Sequence, residues 1–170
     1  MKYTIQEKEI LFTRHIKKGN TSEVYVCSKN EFVLKKITKF INHNCYNREI
    51  YILKLLNDSK FDWCPILIKS LDNENSFIMT YCGEQMNKTN KPTDYKDQIT
   101  KILNDMKSIN LKHNDIKPTE ILVYKSKIYL VDFGWASLID DFSCGVYGIS
   151  SKEKPCGIFQ DNQSLYFCPQ

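Results

Sequence analysis

LKHNDIKPTEILV, residues 111–123, sets His113, Asp115, Lys117 and Glu120 into one short polar stretch with apolar ends. Such a stretch is either a solvated turn or a loop that does chemistry, and its surroundings decide between the two. Downstream, ILVYKSKIYLVDF (121–133) reads as a hairpin turning at Lys125 to Lys127. It runs into VDFGWA (131–136), where Asp132 ends an apolar strand and is followed by a bulky residue and a glycine. Upstream, TDYKDQITKILNDMKSIN (93–110) places Ile99, Ile102, Leu103, Met106 and Ile109 on one helical face, with Thr93 or Asp94 as its cap. The polar loop therefore joins a helix to a hairpin, and a second carboxylate follows it at a strand end.

The rest of the chain sets the bounds. Its 170 residues suit one domain, or a small lobe fused to a smaller one. With 42% hydrophobic and 26% charged residues it buries a core and is not disordered. The net charge of +4 is spread out, without a basic arm, and Arg14 and Arg48 are the only arginines. Bidentate phosphate recognition by arginine is hardly available, which argues against nucleic acid. No apolar run is long enough to span a membrane, and MKYTIQEKEI has no apolar leader core. Seven cysteines, widely spaced and without a C-x-x-C pair, read as reduced buried thiols of a cytosolic protein.

Towards the amino terminus, EILFTRHIKK (9–18), EVYVCS (23–28) and FVLKKI (32–37) read as strands separated by turn material. NHNCYNREIYILKLLND (42–58) has a helical rhythm in Tyr46, Ile50, Leu53 and in Cys45, Ile52, Leu56. CPILIKS (64–70) and SFIMTYC (76–82) flank LDNEN as a hairpin, and GEQMNKTNKPT (83–93) is the best linker. One helix residue stands out. Glu49 shares the apolar side with Cys45, Ile52 and Leu53, and a carboxylate there needs a paired cation.

In this order the motifs resemble the eukaryotic-type protein kinases over roughly residues 10–137. The resemblance implies an α+β, protein-kinase-like fold. A five-stranded antiparallel N-lobe with one helix would occupy residues 1–82. A much reduced C-lobe with the catalytic loop and the DFG segment would occupy 83–170. KKGNTSEVY (17–25) stands where the family's glycine-rich loop covers the ATP phosphates, with Gly19 alone retained and Lys17 and Ser22 replacing glycines. Ile16 and Val24 keep the apolar clamp. FVLK resembles the family's V-A-I-K, which makes Lys35 the phosphate-gripping lysine and Glu49, fourteen residues on, its partner. SFIMTYCGE implies Met79 at the back of an adenine pocket, with Tyr81 and Cys82 on the segment whose backbone meets the purine. Leu122 would lie beneath the base.

By the same resemblance, Asp115 is the catalytic base and Lys117 steadies the transferring phosphoryl group, as in serine/threonine-directed members. Asn114 replaces an arginine that ties this loop to a phosphorylated activation segment. Asp132 is a magnesium ligand. Glu120 stands in place of the metal-binding asparagine, as a second metal ligand with a longer arm that suits manganese. No A-P-E element follows Gly134, and the chain reads as a minimal or truncated kinase.

The implied function is an ATP-dependent phosphotransferase, a minimal serine/threonine-protein kinase with ATP and Mg2+ (or Mn2+) as cofactors. The alternative is a pseudokinase that binds or mimics a partner kinase; a phosphotransferase for small molecules is a third reading. Expected partners are ATP and a protein substrate or partner, without nucleic acid or membrane. Self-association is expected through apolar surface around Ile99, Met106 and the tail from Ile158 to Phe167. The expected location is cytoplasmic, the host cytoplasm for a viral chain, since lysine-, isoleucine- and asparagine-rich usage fits the AT-rich genome of a large DNA virus or a parasite.

Overall fold

The computed structural model describes residues 1–19, 22–38 and 43–138. The tail from Ile158 to Phe167 and most of the stretch after Gly134, where an A-P-E element would fall, lie outside the described residues. Six strands form one antiparallel sheet: β1 (Lys2–Ile5), β2 (Lys8–Lys18), β3 (Ser22–Cys27), β4 (Phe32–Ile37), β5 (Leu67–Leu71) and β6 (Ser76–Thr80). Their order across the sheet is β1-β2-β3-β4-β6-β5. The expectation was five strands. The additional one, β1, pairs with β2 through a two-residue turn at Gln6 and Glu7, with φ of 46° and 64°. Left-handed turns of this kind favour Asn-Gly or Asp-Gly, so Gln-Glu carried no hairpin signal.

The sheet buries both faces. Ile5, Phe12, Cys27, Leu34 and Ile78 form a small cluster on one of them. On the other, Val26, Val33, Phe77 and Met79 join the main core with Ile52, Leu53 and Leu56 of α1 (His43–Asp58). Each such side chain contributes about 1.5–3 kcal/mol when fully removed from water. Cys27, Cys45, Cys64 and Cys82 are all buried and unbridged.

The second half adds β7 (Glu84–Gln85), α2 (Tyr95–Ser108), β8 (Leu111–Lys112), β9 (Ile121–Tyr124), β10 (Lys127–Leu130) and β11 (Ser137–Leu138). The expected linker is not free chain. β7 pairs with β9, and Met86 is buried in the main core. Gly83 makes this possible: its φ is +92°, and a Cβ there would lie 2.0 Å from the Val123 carbonyl oxygen. Gly83→Ala is therefore expected to destabilise the chain by about 2–3 kcal/mol or more, through overpacking and a strained backbone. Chemical denaturation measures this, and a variant within 0.5 kcal/mol of wild type (about the scatter of surface changes) contradicts it.

Asp94 is the N-cap of α2, but its side chain makes no capping bond and instead accepts from Gln98 Nε2 at 2.9 Å. Ile99, Ile102 and Met106 of α2 are buried at 0–2% exposure. This corrects the expected apolar surface at Ile99 and Met106. Both pack in the main core with Trp63, Leu111 and Leu130. Trp63 fastens that contact, donating from Nε1 to Asp105 at 2.8 Å while its carbonyl accepts from the Leu130 amide at 2.9 Å.

Candidate functional site

Strand register sets the wall of the site. Lys17 pairs with Val24, Val24 with Lys35, and Lys35 with Phe77, so all four share one row of the sheet. A register shift between His15 and Lys17 interrupts the alternation of β2. A bulge breaks the rule that neighbours face opposite sides, and here Ile16 and Lys17 both reach the same cleft.

Lys35 is 4% exposed and bridges two carboxylates. Its Nζ donates to Glu49 at 2.7 and 3.0 Å and to Asp132 Oδ1 at 2.8 Å. Burial pushes the ammonium's pKa down, but Asp132 and Glu49 outweigh it and hold it above the ordinary lysine value. Burial pushes Glu49 up to about 7, with Lys35 opposing and Asp132 adding to the rise. Asp132 goes the other way: burial raises it, and the Lys35 charge more than reverses this, leaving it below the usual carboxylate range. The backbone of Asp132 has a φ of 68°, which an aspartate tolerates better than most residues.

The loop of residues 113–120 is fixed from behind. His113 is fully buried, with Nε2 3.0 Å from the Val131 carbonyl and Nδ1 3.4 Å from the Asp115 amide. In the Nε2–H tautomer both contacts are satisfied, the Val131 carbonyl accepting from Nε2 and Nδ1 accepting from the Asp115 amide. Asn114 Nδ2 donates to the Trp135 carbonyl at 3.0 Å and to Ser137 Oγ at 2.8 Å, holding the loop against the chain after Asp132. Asp115 accepts from Lys117 Nζ at 2.6 Å. Burial lowers the Lys117 pKa, but its bond to Asp115 and the charge of Glu120 raise it above the lysine norm.

A cleft of about 410 Å3 separates the sheet from this loop and from β9. Of the expected residues, Ile16, Ser22, Val24, Lys35, Met79, Tyr81, Cys82, Leu122, Glu120 and Asp132 line it. Gly19, Glu49, Asp115 and Lys117 do not. Glu49 stands behind Lys35 and reaches the cleft only through it. On the segment whose backbone was expected to meet a base, the Tyr81 N–H donates to the Glu31 carbonyl, as the preceding Thr80 N–H does to the Ile66 carbonyl.

Lys17 was not foreseen. Its Nζ donates to Glu120 Oε1 at 2.9 Å and Oε2 at 3.2 Å, and Thr119 Oγ1 donates to the same carboxylate at 2.8 Å. Lys117 Nζ lies 3.5 Å from Glu120 Oε1. Glu120 itself is 1% exposed. The sequence did hold a signal: Lys17 and Glu120 both depart from the resembled pattern, with opposite charges. Among the described residues no three His, Cys, Asp or Glu side chains converge as a metal cage. Asp132 lines the cleft with its side chain 28% exposed, and its carboxylate oxygens are of the kind that hold a divalent cation. Glu120, its oxygens held by an ammonium and a hydroxyl, suits one poorly.

No protein-family model matches the chain. It is 31% identical over 118 residues to the protein of Acanthamoeba polyphaga mimivirus named "Putative serine/threonine-protein kinase L232". The match covers 65% of this chain and 19% of that protein, so the chain spans about a fifth of that relative's length. The similarity is that of a kinase-like relationship. Among the described residues no helix is long and apolar enough to cross a membrane.

Proposed function

We propose that the chain is an ATP-dependent phosphotransferase of the serine/threonine-kinase kind. The observation that carries this reading is Lys35, buried on the cleft wall between Glu49 and Asp132. A buried ammonium held by two carboxylates is a preset anchor for an anionic ligand, because its position no longer depends on solvent. The cleft supports a nucleoside triphosphate in size and lining. Ile16, Val24 and Leu122 offer apolar walls for a base, with Met79 and Cys82 lining the same cleft. Lys35, whose three donors go to Glu49 and Asp132, takes a phosphate oxygen in exchange for its bond to Asp132.

Asp132 would hold a divalent cation, which when bound neutralises charge on the phosphate oxygens. Asp115 acts on the acceptor. Its carboxylate takes the proton of a substrate hydroxyl as that oxygen bonds the γ-phosphorus and the bond to the departing diphosphate breaks. Lys117, 2.6 Å from Asp115, places a positive charge beside the phosphoryl group in transit. The loop that carries both is pinned by His113 and Asn114, so the base cannot wander from the acceptor.

Binding without turnover is the second reading, and the Lys17–Glu120 pair favours it by engaging a carboxylate that the resemblance assigns to metal. One assay separates the two. The chain is incubated with ATP, a serine- or threonine-bearing general substrate and either Mg2+ or Mn2+, beside Asp132→Asn. Phosphate transfer by wild type that Asp132→Asn abolishes supports the enzyme. Nucleotide binding with no transfer under either metal leaves a binding module in its place.

A further inference from the structure

We infer that Lys17 is a resident cation of the phosphate end of the cleft, occupying Glu120 where a second divalent ion would otherwise be bound. The inference deepens the proposed function, whose ligand it shares. Three observations carry it. Glu120 is buried at the cleft floor yet has both oxygens bonded to one ammonium, from a residue 103 positions away on the opposite wall. Lys17 owes that reach to the bulge that turns it onto the Val24–Lys35 row. Its side chain is 39% exposed against 1% for Glu120, and both residues line the cleft.

The charge balance points the same way. Asp115, Glu120, Glu49 and Asp132 face Lys17, Lys117 and Lys35, which leaves one negative charge in excess. That excess lies around Lys35, which serves both Glu49 and Asp132, while Glu120 has Lys17 at 2.9 Å and Lys117 at 3.5 Å. A divalent ion at Glu120 would meet two ammonium groups within contact distance, whereas one at Asp132 meets one. An ammonium has three donors. Two of those on Lys17 go to Glu120, and the third is available to a phosphate oxygen in the cleft. Glu120 is thus a positioning residue that holds Lys17 over the phosphates, and the site works with one metal ion.

The test counts bound Mn2+ by electron paramagnetic resonance, with and without a non-hydrolysable ATP analogue, in wild type, Lys17→Met, Glu120→Gln and the double variant. Wild type is expected to bind one ion with the analogue. Lys17→Met should bind one ion more than wild type, Glu120→Gln the same number as wild type, and the double variant should lose the gain. Analogue affinity should fall roughly tenfold in Lys17→Met, the order of one charge-assisted contact. Equal ion counts in wild type and Lys17→Met overturn the inference, as does loss of an ion in Glu120→Gln. The two readings fail separately. If the analogue does not bind, the nucleotide reading falls, and the extra ion of Lys17→Met without analogue still decides whether Lys17 guards Glu120.

Discussion

Lys35→Met is expected to destabilise the chain by about 3–5 kcal/mol, the usual cost of removing one partner from a buried ion pair. For a chain of 170 residues that is a fall in melting temperature of about ten degrees. The cause is local. Glu49 is 1% exposed, and Asp132 shares the same ammonium, so the variant strands two carboxylates. ATP affinity should be lost along with the stability. The pH dependence has a definite sign. In wild type Asp132 sits below its usual range, so its contribution is present above the unfolded value of about 3.9 and is lost as pH falls through the lower, folded value. Without Lys35 Asp132 shifts above its unfolded value and Glu49, already pushed up to about 7, shifts higher still, and protonation at lower pH relieves both. The gap in melting temperature between variant and wild type should therefore narrow from about pH 7.5 to about pH 5. Thermal melts at the two pH values check this; a constant gap, or unchanged ATP affinity by calorimetry, removes Lys35 from the site.

Asp115→Asn is expected to lower phosphate transfer by roughly 10²–10⁴-fold, the range for loss of a general base. Asparagine keeps the shape and can still accept from Lys117, but it takes no proton. The Asp115–Lys117 pair is half exposed on the lysine side, so stability should change by less than about 1 kcal/mol. Affinity for the ATP analogue should be unchanged, since Asp115 does not line the cleft. Single-turnover kinetics beside a melting curve separate these effects. Transfer at more than a tenth of the wild-type rate, a loss of about 1.4 kcal/mol or less, removes Asp115 as the base.

Short-range pattern carried much of the architecture. The runs at EILFTRHIKK, EVYVCS and FVLKKI became β2, β3 and β4 because side-chain alternation and β-branching act within a few residues. The apolar faces of both helices were likewise legible, and so was the contact between Lys35 and Glu49, since a carboxylate on an apolar stripe demands a cation. β1 was not legible, because its turn uses Gln6 and Glu7 in a conformation that their types do not announce. The stretch after Gly83 looked like linker because its hydrogen bonds go to β9, far along the chain. Ile99 and Met106 seemed uncovered because their cover, Trp63 and Leu130, comes from other elements.

The sequence by itself determined which residues are apolar, which are charged and the spacing between them, and from these came the strands, the helices and the need of Glu49 for a cation, which the resemblance identified as Lys35. Only the tertiary structure decided what Glu120 touches. A one-residue bulge in β2 moves Lys17 onto the cleft face, and the fold brings that face over a loop 103 residues away. Alternation along a strand is a local rule, whereas the partner of a buried charge is whatever the completed fold sets within about 3 Å of it.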